Sequence, residues 1–594
     1  MGKRRQQILT GYRGLNIWRT GQKLFWSYWR TEERKKATLL LGAIIILNLL
    51  SVYLLVLLND WYNDFYNALQ VYDYARFWPL IGYFALLAFI YIALAVYAIY
   101  LCQVLQINWR QRMTRECLSL WLKGKAYYHL ERTASAQENT TALGTDNPDQ
   151  RISEDVSLFA ELSLSLFVGF LKALSTLIAF AVVLWHLSSN IALPFGGQEI
   201  YVPGYMLWVS MIYSIVGTYL AHRAGRRLIS LSVNQQHYEA DFRFAMMRAR
   251  ENAESIAFYG GEREERRGMD ERFALAVKNF WGLMRQTKIL NFYSNSYAQL
   301  AIIVPLLLAA PGYFSGVMAL GGLMQTISAF GRVQDSMSYF VDSYASIANL
   351  AAVTRRLGGF AQHMEAASQT KGQVTWQEDA TGNVTLEALT VSLPAGETLL
   401  QPMQAKFMAG QKIIVTGASG AGKSTLLRAL AGLWPFAKGK VSLPQRHDLL
   451  FLPQRPYLPL GTLAKAVAYP DAPEGRETEI HEVLQAVGLG KLQNRLTEVA
   501  DWSHILSLGE QQRVAFARIL LRQPRWAFLD EATSALDEKA ERELYALLCT
   551  RLPQLGLTSV AHREELRAFH ERELHLDGAG GFTLKDLNLG RQGA

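Results

Sequence analysis

The sequence predicts two joined domains: an α-helical membrane domain of six spans, then an α/β domain of the P-loop type. Three observations predict it. Long apolar runs fill the N-terminal part of the chain and stop near Leu350. Half of the 594 residues are hydrophobic and only 19% are charged, too apolar for an ordinary soluble enzyme and too charged for a pure membrane bundle. Beyond Leu350, short β runs alternate with helical ones around Gly417-Ala418-Ser419-Gly420-Ala421-Gly422-Lys423-Ser424-Thr425, which fits G-x-x-x-x-G-K-[ST].

Residues 1–36 carry basic side chains (Lys3, Arg4, Arg5, Arg13, Arg19, Lys23) and aromatic ones (Trp18, Phe25, Trp26, Tyr28, Trp29). They read as an amphipathic lead-in on the cytoplasmic face of the lipid bilayer. The first span runs from Ala37 to Leu58. It exceeds a signal-peptide core and lacks a small-residue cleavage site after it, so it reads as retained. The second is Trp78 to Leu101, the third Leu164 to Leu187, and the fourth Val202 to Leu220. The fifth centres on Ala301 to Ala310 and is interrupted by Pro311; the sixth is Leu320 to Phe340. Residues 37–360 thus form the membrane domain, 361–373 a polar linker, and 374–594 the nucleotide-binding domain. The long segments after spans two and four keep helical periodicity and read as helices continuing into the cytoplasm.

Net charge is +9. In a membrane chain that excess reports topology and anionic lipid, not nucleic acid. The loop from Asn59 to Phe77 is acidic, and the segments after spans two and four are basic (Arg110, Arg112, Arg115, Lys123; Arg223, Arg226, Arg227). Both termini and the P-loop are therefore expected in the cytoplasm. Cys102, Cys117 and Cys549 are scattered and form neither a disulfide frame nor a metal pattern.

Ser328, Arg332, Asp335, Ser338 and Asp342 recur at three- to four-residue steps and share one helical face. Lys172 adds a charge to span three. Three readings stand: a water-filled cavity for a hydrophilic solute, a solvated cytoplasmic helix end, and an internal Arg332–Asp335 ion pair.

Before the P-loop, Ile413-Ile414-Val415 reads as a buried strand; after it, Leu426 to Leu430 reads as a helix. Glycines let backbone N–H groups approach phosphate, and the helix N-terminus favours its charge. Lys423 would reach the β and γ phosphates of ATP, and Ser424 would ligate Mg²⁺.

Residues 374–578 resemble ABC ATPase domains throughout. Trp526-Ala527-Phe528-Leu529-Asp530-Glu531 resembles Walker B. The resemblance implies that Asp530 holds Mg²⁺ and Glu531 is the catalytic base. It likewise implies a D-loop at Ser534-Ala535-Leu536-Asp537, a catalytic switch histidine at His562, and a Q-loop at Gln454 that senses Mg²⁺. Leu506-Ser507-Leu508-Gly509-Glu510-Gln511-Gln512-Arg513 resembles the signature LSGGQ. There Ser507, Gly509 and Glu510 would meet ATP held by a second chain. Leu508 and Glu510 depart from the pattern, and Leu393 stands where the family stacks an aromatic on adenine. One P-loop and one signature per chain imply a homodimer, with a heterodimer as the alternative.

Three stretches narrow the resemblance: Asp60-Trp61-Tyr62-Asn63-Asp64-Phe65-Tyr66-Asn67-Ala68-Leu69-Gln70, Asp146-Asn147-Pro148-Asp149-Gln150-Arg151-Ile152, and Glu254-Ser255-Ile256-Ala257-Phe258-Tyr259-Gly260-Gly261-Glu262. Together they look like bacterial YddA-like half-transporters. Those are akin to SbmA/BacA peptide-uptake proteins and to the peroxisomal subfamily D fatty-acyl transporters. The resemblance implies an exporter-type ABC fold, a bacterial inner-membrane location and ATP-driven alternating access. It places Asp149, Gln150, Arg151, Glu254 and Gly260 at the coupling interface. A peptide-like or cofactor-like solute such as cobalamin, taken up, is favoured. Export, a fatty-acyl substrate and an ATP-gated channel or sensor are the alternatives.

Overall fold

The computed structural model describes residues 33–130, 147–188, 202–368, 372–561 and 563–587, with Gln22, Trp29 and the segments 193–195 and 198–200. Most of the lead-in 1–36 and all of position 562 lie outside the described residues. The chain divides into two compact units, Met1–Ser368 and Gln369–Ala594.

The first unit is helical: α1 (Arg34–Gln70), α2 (Tyr74–Leu122), α3 (Val156–Ser188), α4 (Tyr205–Glu251), α5 (Ala253–Tyr259), α6 (Glu262–Phe314), α7 (Leu320–Asp342) and α8 (Tyr344–Ser368). A two-stranded hairpin, β1 (Leu193–Phe195) with β2 (Gln198–Ile200), lies between α3 and α4. Among the described residues, four helical stretches are long and apolar enough to cross a membrane: Arg34–Gln70, Tyr74–Leu130, Pro148–Ser188 and Glu262–Phe314. The fourth and sixth expected spans fall on α4 and α7, which are helical but outside that apolar set. The inward faces of α1, α3, α4, α6 and α7 meet around Leu55, Phe180, Met206, Ala309 and Phe330.

Three expectations need correction. The acidic stretch 59–77 is not an open loop: α1 runs to Gln70 and α2 starts at Tyr74. Pro311 does not interrupt α6, which continues to Phe314. The stretch 361–373 is not a linker along its length, because α8 extends to Ser368 and a strand begins at Gln373. Phe360, Met364 and Ala367 recur at helical spacing and bury against Ala126, Leu130 and Ile152, which holds that end of α8 in place.

The helical extension of α1 has a definite task. Its polar side chains satisfy the N-terminus of α7, whose first N–H groups have no intrahelical acceptor. Leu320 N donates to Gln70 Oε1 at 2.8 Å and Gly321 N to Asn67 Oδ1 at 2.8 Å. Deeper in the pair, Asn59 Nδ2 donates to Gln325 O at 3.1 Å, and Gln325 Nε2 donates to Asp60 Oδ1 at 2.9 Å. Gly321 lets the two helices close: a Cβ there would sit 2.0 Å from Asn63 O.

The second unit is α/β. A six-stranded sheet has the order β12-β11-β6-β10-β9-β8, with β6 (Lys412–Gly417), β8 (Leu449–Leu452), β9 (Trp526–Asp530), β10 (Gly556–Val560), β11 (Arg572–Leu576) and β12 (Phe582–Asp586). It is parallel except for β12. A four-stranded sheet has the order β3-β7-β4-β5, with β3 (Gln373–Glu378), β4 (Val384–Ser392), β5 (Thr398–Phe407) and β7 (Ala437–Leu443). Helix α9 (Lys423–Leu430) packs Leu426, Leu427 and Leu430 into the core shared by the two sheets. On the other side of the larger sheet, α10 (Leu463–Ala468), α11 (Glu477–Ala486), α12 (Leu508–Arg522) and α13 (Glu538–Arg551) share a second core. The β6 run Ile413-Ile414-Val415 is fully buried, as a central parallel strand requires.

Expected outcome: Gly321→Ala lowers the thermal midpoint of the detergent-solubilised chain, through a steric penalty of about 1–3 kcal/mol. Gly331→Ala, inside the same helix where a Cβ meets nothing within 4 Å, does not lower the midpoint and raises it by the helix preference of alanine, about 0.5–1 kcal/mol. Thermal unfolding followed by circular dichroism reads both.

Candidate functional site

The site is built at the C-terminal ends of β6 and β9, one strand apart in the larger sheet. After β6 the chain turns through Gly417, Gly420 and Gly422, with φ of 140°, 84° and 95°. At Gly417 a Cβ would lie 2.4 Å from Leu576 O, so only glycine fits. The turn delivers the N-terminus of α9. Lys423, only 6% exposed, donates from Nζ to Gly417 O at 2.8 Å and Ala418 O at 2.9 Å. No carboxylate pairs with it within 4 Å among the described residues. A buried ammonium bonded to carbonyls and in no close ion pair leaves room for an anion.

Ser424 Oγ donates to Asp530 Oδ1 at 2.7 Å. Burial holds the Asp530 carboxyl above its ordinary range, against the opposing pull of the Ser424 hydroxyl and of Arg428. A hydroxyl and a costly carboxylate side by side are an oxygen pair suited to a hard divalent cation, so the residues present fit Mg²⁺. The next residue, Glu531, has φ 51°, an uncommon conformation for a side-chain-bearing residue. Gln454 Nε2 donates to Glu531 Oε2 at 3.0 Å. Two residues widely separated in sequence, both expected at the nucleotide, are thereby joined.

The signature stretch starts α12. Ser507 Oγ accepts from Glu510 N at 3.3 Å, and Ser507 N donates to Glu510 Oε2 at 3.0 Å, a complete capping box. Lys491 Nζ meets Glu510 Oε1 at 2.8 Å and, with Ser507, holds the carboxyl below its ordinary range. Glu510, expected at a phosphate, is instead engaged as cap and ion-pair partner. Gly509 stands close to the D-loop: a Cβ would be 3.2 Å from Ala535 O. Leu508 is 40% exposed. Leu393 lies in a tight turn, its N donating to Glu397 O at 2.7 Å. His562 falls outside the described residues; β10, which precedes it, lies between β6 and β9.

Two groups escaped the sequence reading. Gln512, fully buried, donates from Nε2 to Gln454 O at 3.1 Å and to Ser534 Oγ at 3.2 Å, and accepts at Oε1 from Ala535 N at 3.0 Å. A neutral polar residue in the first turns of a helix reads as solvent-facing, so nothing in the pattern flags it. His570 is the other. Its Nδ1 is 2.7 Å from Leu566 O, an acceptor only, so Nδ1 carries the proton and Nε2 accepts from Ser559 Oγ at 3.0 Å. Ser559 belongs to β10, so this histidine steadies that strand.

In the membrane unit, Asn147 (φ 55°) and Pro148 begin a turn that places Asp149 and Gln150 on the surface. Arg151 Nη1 meets Asp155 Oδ2 at 3.0 Å. Asp155, itself buried, also takes a bidentate pair from Arg356 of α8 at 2.6 and 2.9 Å. Helix α5 carries exposed Glu254, with Phe258 84% and Tyr259 90% exposed, and ends on Gly260 at φ 62°. On α7, Arg332 and Asp335 are exposed and no ion pair joins them; Ser328 and Ser338 are half-buried. Lys172 is exposed on α3. Packing of the two helices is fixed beside it by Tyr339, whose hydroxyl donates to Leu166 O at 2.8 Å.

A P-loop ATPase fold with a signature helix, fused to a helical membrane unit, defines an ATP-driven membrane transporter. Residues 29–314 match the model described as ABC transporter transmembrane region 2, and residues 400–534 the model described as ABC transporter. The inner membrane ABC transporter ATP-binding protein YddA of Escherichia coli is 34% identical over 536 residues, 90% of this chain and 93% of its own. The lysosomal cobalamin transporter ABCD4 of Homo sapiens is 29% identical over 608 residues, 96% and 95% of the two chains. The solved structure of a bacterial Atm1-family ABC exporter with ATP bound matches with TM-score 0.72 at 17% identity, covering 93% and 94% of the two chains. The chain belongs to the ABC transporter family. It is a half-transporter of exporter-type fold, related to YddA and to subfamily D, and it couples ATP hydrolysis to transport.

His570 gives a pH signature. Burial, with a smaller push from Lys412 and an opposing hydrogen bond to Leu566 O, lowers its pKa from 6.5 to about 4. The unfolded chain takes up a proton below pH 6.5 that the folded chain refuses, so the neutral form's stabilisation is complete above 6.5 and lost as pH falls through about 4. Expected outcome: the ATPase unit's thermal midpoint falls over that window, and His570→Gln flattens the dependence in a pH series.

Proposed function

We propose that the chain works as a homodimer in a bacterial inner membrane, its termini and ATPase unit cytoplasmic, taking up a hydrophilic peptide-like or cofactor-like solute. In each ATP site Lys423 and the backbone N–H groups of residues 417–425 hold the phosphates. Ser424 and Asp530 hold Mg²⁺, with Gln454 reporting on it. The ion, when bound, neutralises charge on the phosphates. Glu531 accepts the proton of the attacking water, oriented by Gln454, and His562 meets the γ-phosphate. Ser507 and the N–H of Gly509 from the second chain close the site. Asp149, Gln150, Arg151, Glu254 and Gly260 pass the closure to the membrane helices; the exposed aromatics of α5 suit a docking element.

The observation that supports the solute class is the exposure of Arg332 and Asp335 on α7, the sixth expected span. Charges there face water or a polar solute, not lipid. The similarity to a cobalamin transporter is in keeping with that. A second reading, transport of an acyl chain, is favoured by one feature. An apolar groove of about 560 Å³ between α4 and α6 is lined by Ile212, Val216, Leu220 and Leu300 with Tyr213 and Tyr297.

Two outcomes test the proposal. Glu531→Gln cuts steady ATP turnover by about 100-fold or more while ATP binding is retained; unchanged turnover refutes the catalytic assignment. In ATP-loaded proteoliposomes, Arg332→Ala and Asp335→Ala each reduce solute accumulation about tenfold more than they reduce ATP turnover. Equal loss of transport, turnover and folded protein points instead to a structural role.

A further inference from the structure

We propose that Gln512 is a positioning residue linking the two ATP sites of the dimer: it ties signature closure over the partner's nucleotide to the placement of Glu531 on this chain's own. The proposal rests on the site reading above, in which Glu531 and Gln454 serve one nucleotide and Ser507 and Gly509 the other.

Three segments meet at this one buried amide, and a fourth is joined to it through Gln454. The residue sits one turn after Gly509 on α12, so it moves with the signature. Both of its side-chain donor contacts and its acceptor contact are engaged. Nε2 donates to Gln454 O at 3.1 Å and to Ser534 Oγ at 3.2 Å; Oε1 accepts from Ala535 N at 3.0 Å. Gln454 in turn donates from its own side chain to Glu531 Oε2 at 3.0 Å. Signature helix, Q-loop, D-loop and Walker B end are thereby one hydrogen-bonded unit. Tight packing of Gly509 against Ala535 O removes slack at the other end. A shift of α12 on closing over the partner's nucleotide must therefore move the Gln454 backbone, and with it the group that orients Glu531. Buried, fully satisfied networks behave this way because any half-broken arrangement strands a polar group.

Gln512→Glu is the informative change. It keeps an acceptor for Ala535 N, loses both donors, and sets a carboxylate against Gln454 O. The test uses the full-length protein in nanodiscs, with Glu531→Gln measured alongside. Expected for Gln512→Glu: kcat falls about tenfold, KM for ATP stays within about twofold, any cooperativity in the ATP dependence is lost, and the thermal midpoint drops only by the cost of the stranded buried groups. If Gln512→Glu does not yield folded protein, Gln512→Met, which keeps the side-chain length and drops all three bonds, is read on the same scales. An unchanged kcat and ATP dependence overturns the proposal. So does a fall in kcat matched by loss of ATP binding and of thermal stability, which marks a packing role only. If Glu531→Gln abolishes turnover while Gln512→Glu behaves as wild type, the proposal alone fails. If Glu531→Gln turns over normally, the site reading fails and the proposal with it.

Discussion

The constraint on which the ATPase unit depends is the Lys423 ammonium, 6% exposed at the start of a helix, bonded to two carbonyls of its own loop and, among the described residues, in no salt bridge within 4 Å. Removing a cation from water is costly unless an opposite charge meets it. The helix dipole adds positive character at the same point. Everything nearby serves to keep that point open to a polyanion: glycines that no side chain could replace, and an acidic pair set one strand away on β9. The parallel sheet sets this spacing, since β6, β10 and β9 all end at the same edge.

A second charged centre organises the membrane unit. Asp155 is buried between Arg151 and Arg356. Its loss would leave two arginines facing each other, a change of about 3–5 kcal/mol for a buried pair. The bond fixes the turn bearing Asp149 and Gln150 to α8, the last helix before the ATPase unit. At the opposite end of the bundle, Asn67 and Gln70 cap α7, so α1 and the charge-bearing helix share one boundary. Ser328, Arg332 and Asp335 thus sit on a helix gripped at its start by α1 and near its end by its own Tyr339, whose hydroxyl donates to Leu166 O of α3.

The sequence was most legible where chemistry demands a fixed spacing. The P-loop, the Walker B strand and the signature stretch fall on the elements expected of them, because strand, turn and helix cannot be permuted without losing the phosphate cradle. Long apolar runs likewise gave the membrane helices. Legibility failed where polar residues serve packing. Asn67 and Gln70 read as loop residues but cap a helix distant in sequence. Residues 361–368 read as a linker because Gln362, Glu365 and Ser368 are polar, yet Met364 and Ala367 on the other face are buried. Glu510 read as a residue that meets ATP, and its role in capping the signature helix went unread. Gln512 and Asp155 depend on partners 58 and 201 residues away, which no local pattern encodes.

In the proposed function, ATP turnover moves a hydrophilic solute. This is tested most directly by steady-state ATP turnover of the full-length chain in nanodiscs, titrated with short peptides, cobalamin or acyl-CoA. A peptide or cobalamin is expected to raise turnover while acyl-CoA does not. Stimulation by acyl-CoA alone would contradict this and favour the groove between α4 and α6.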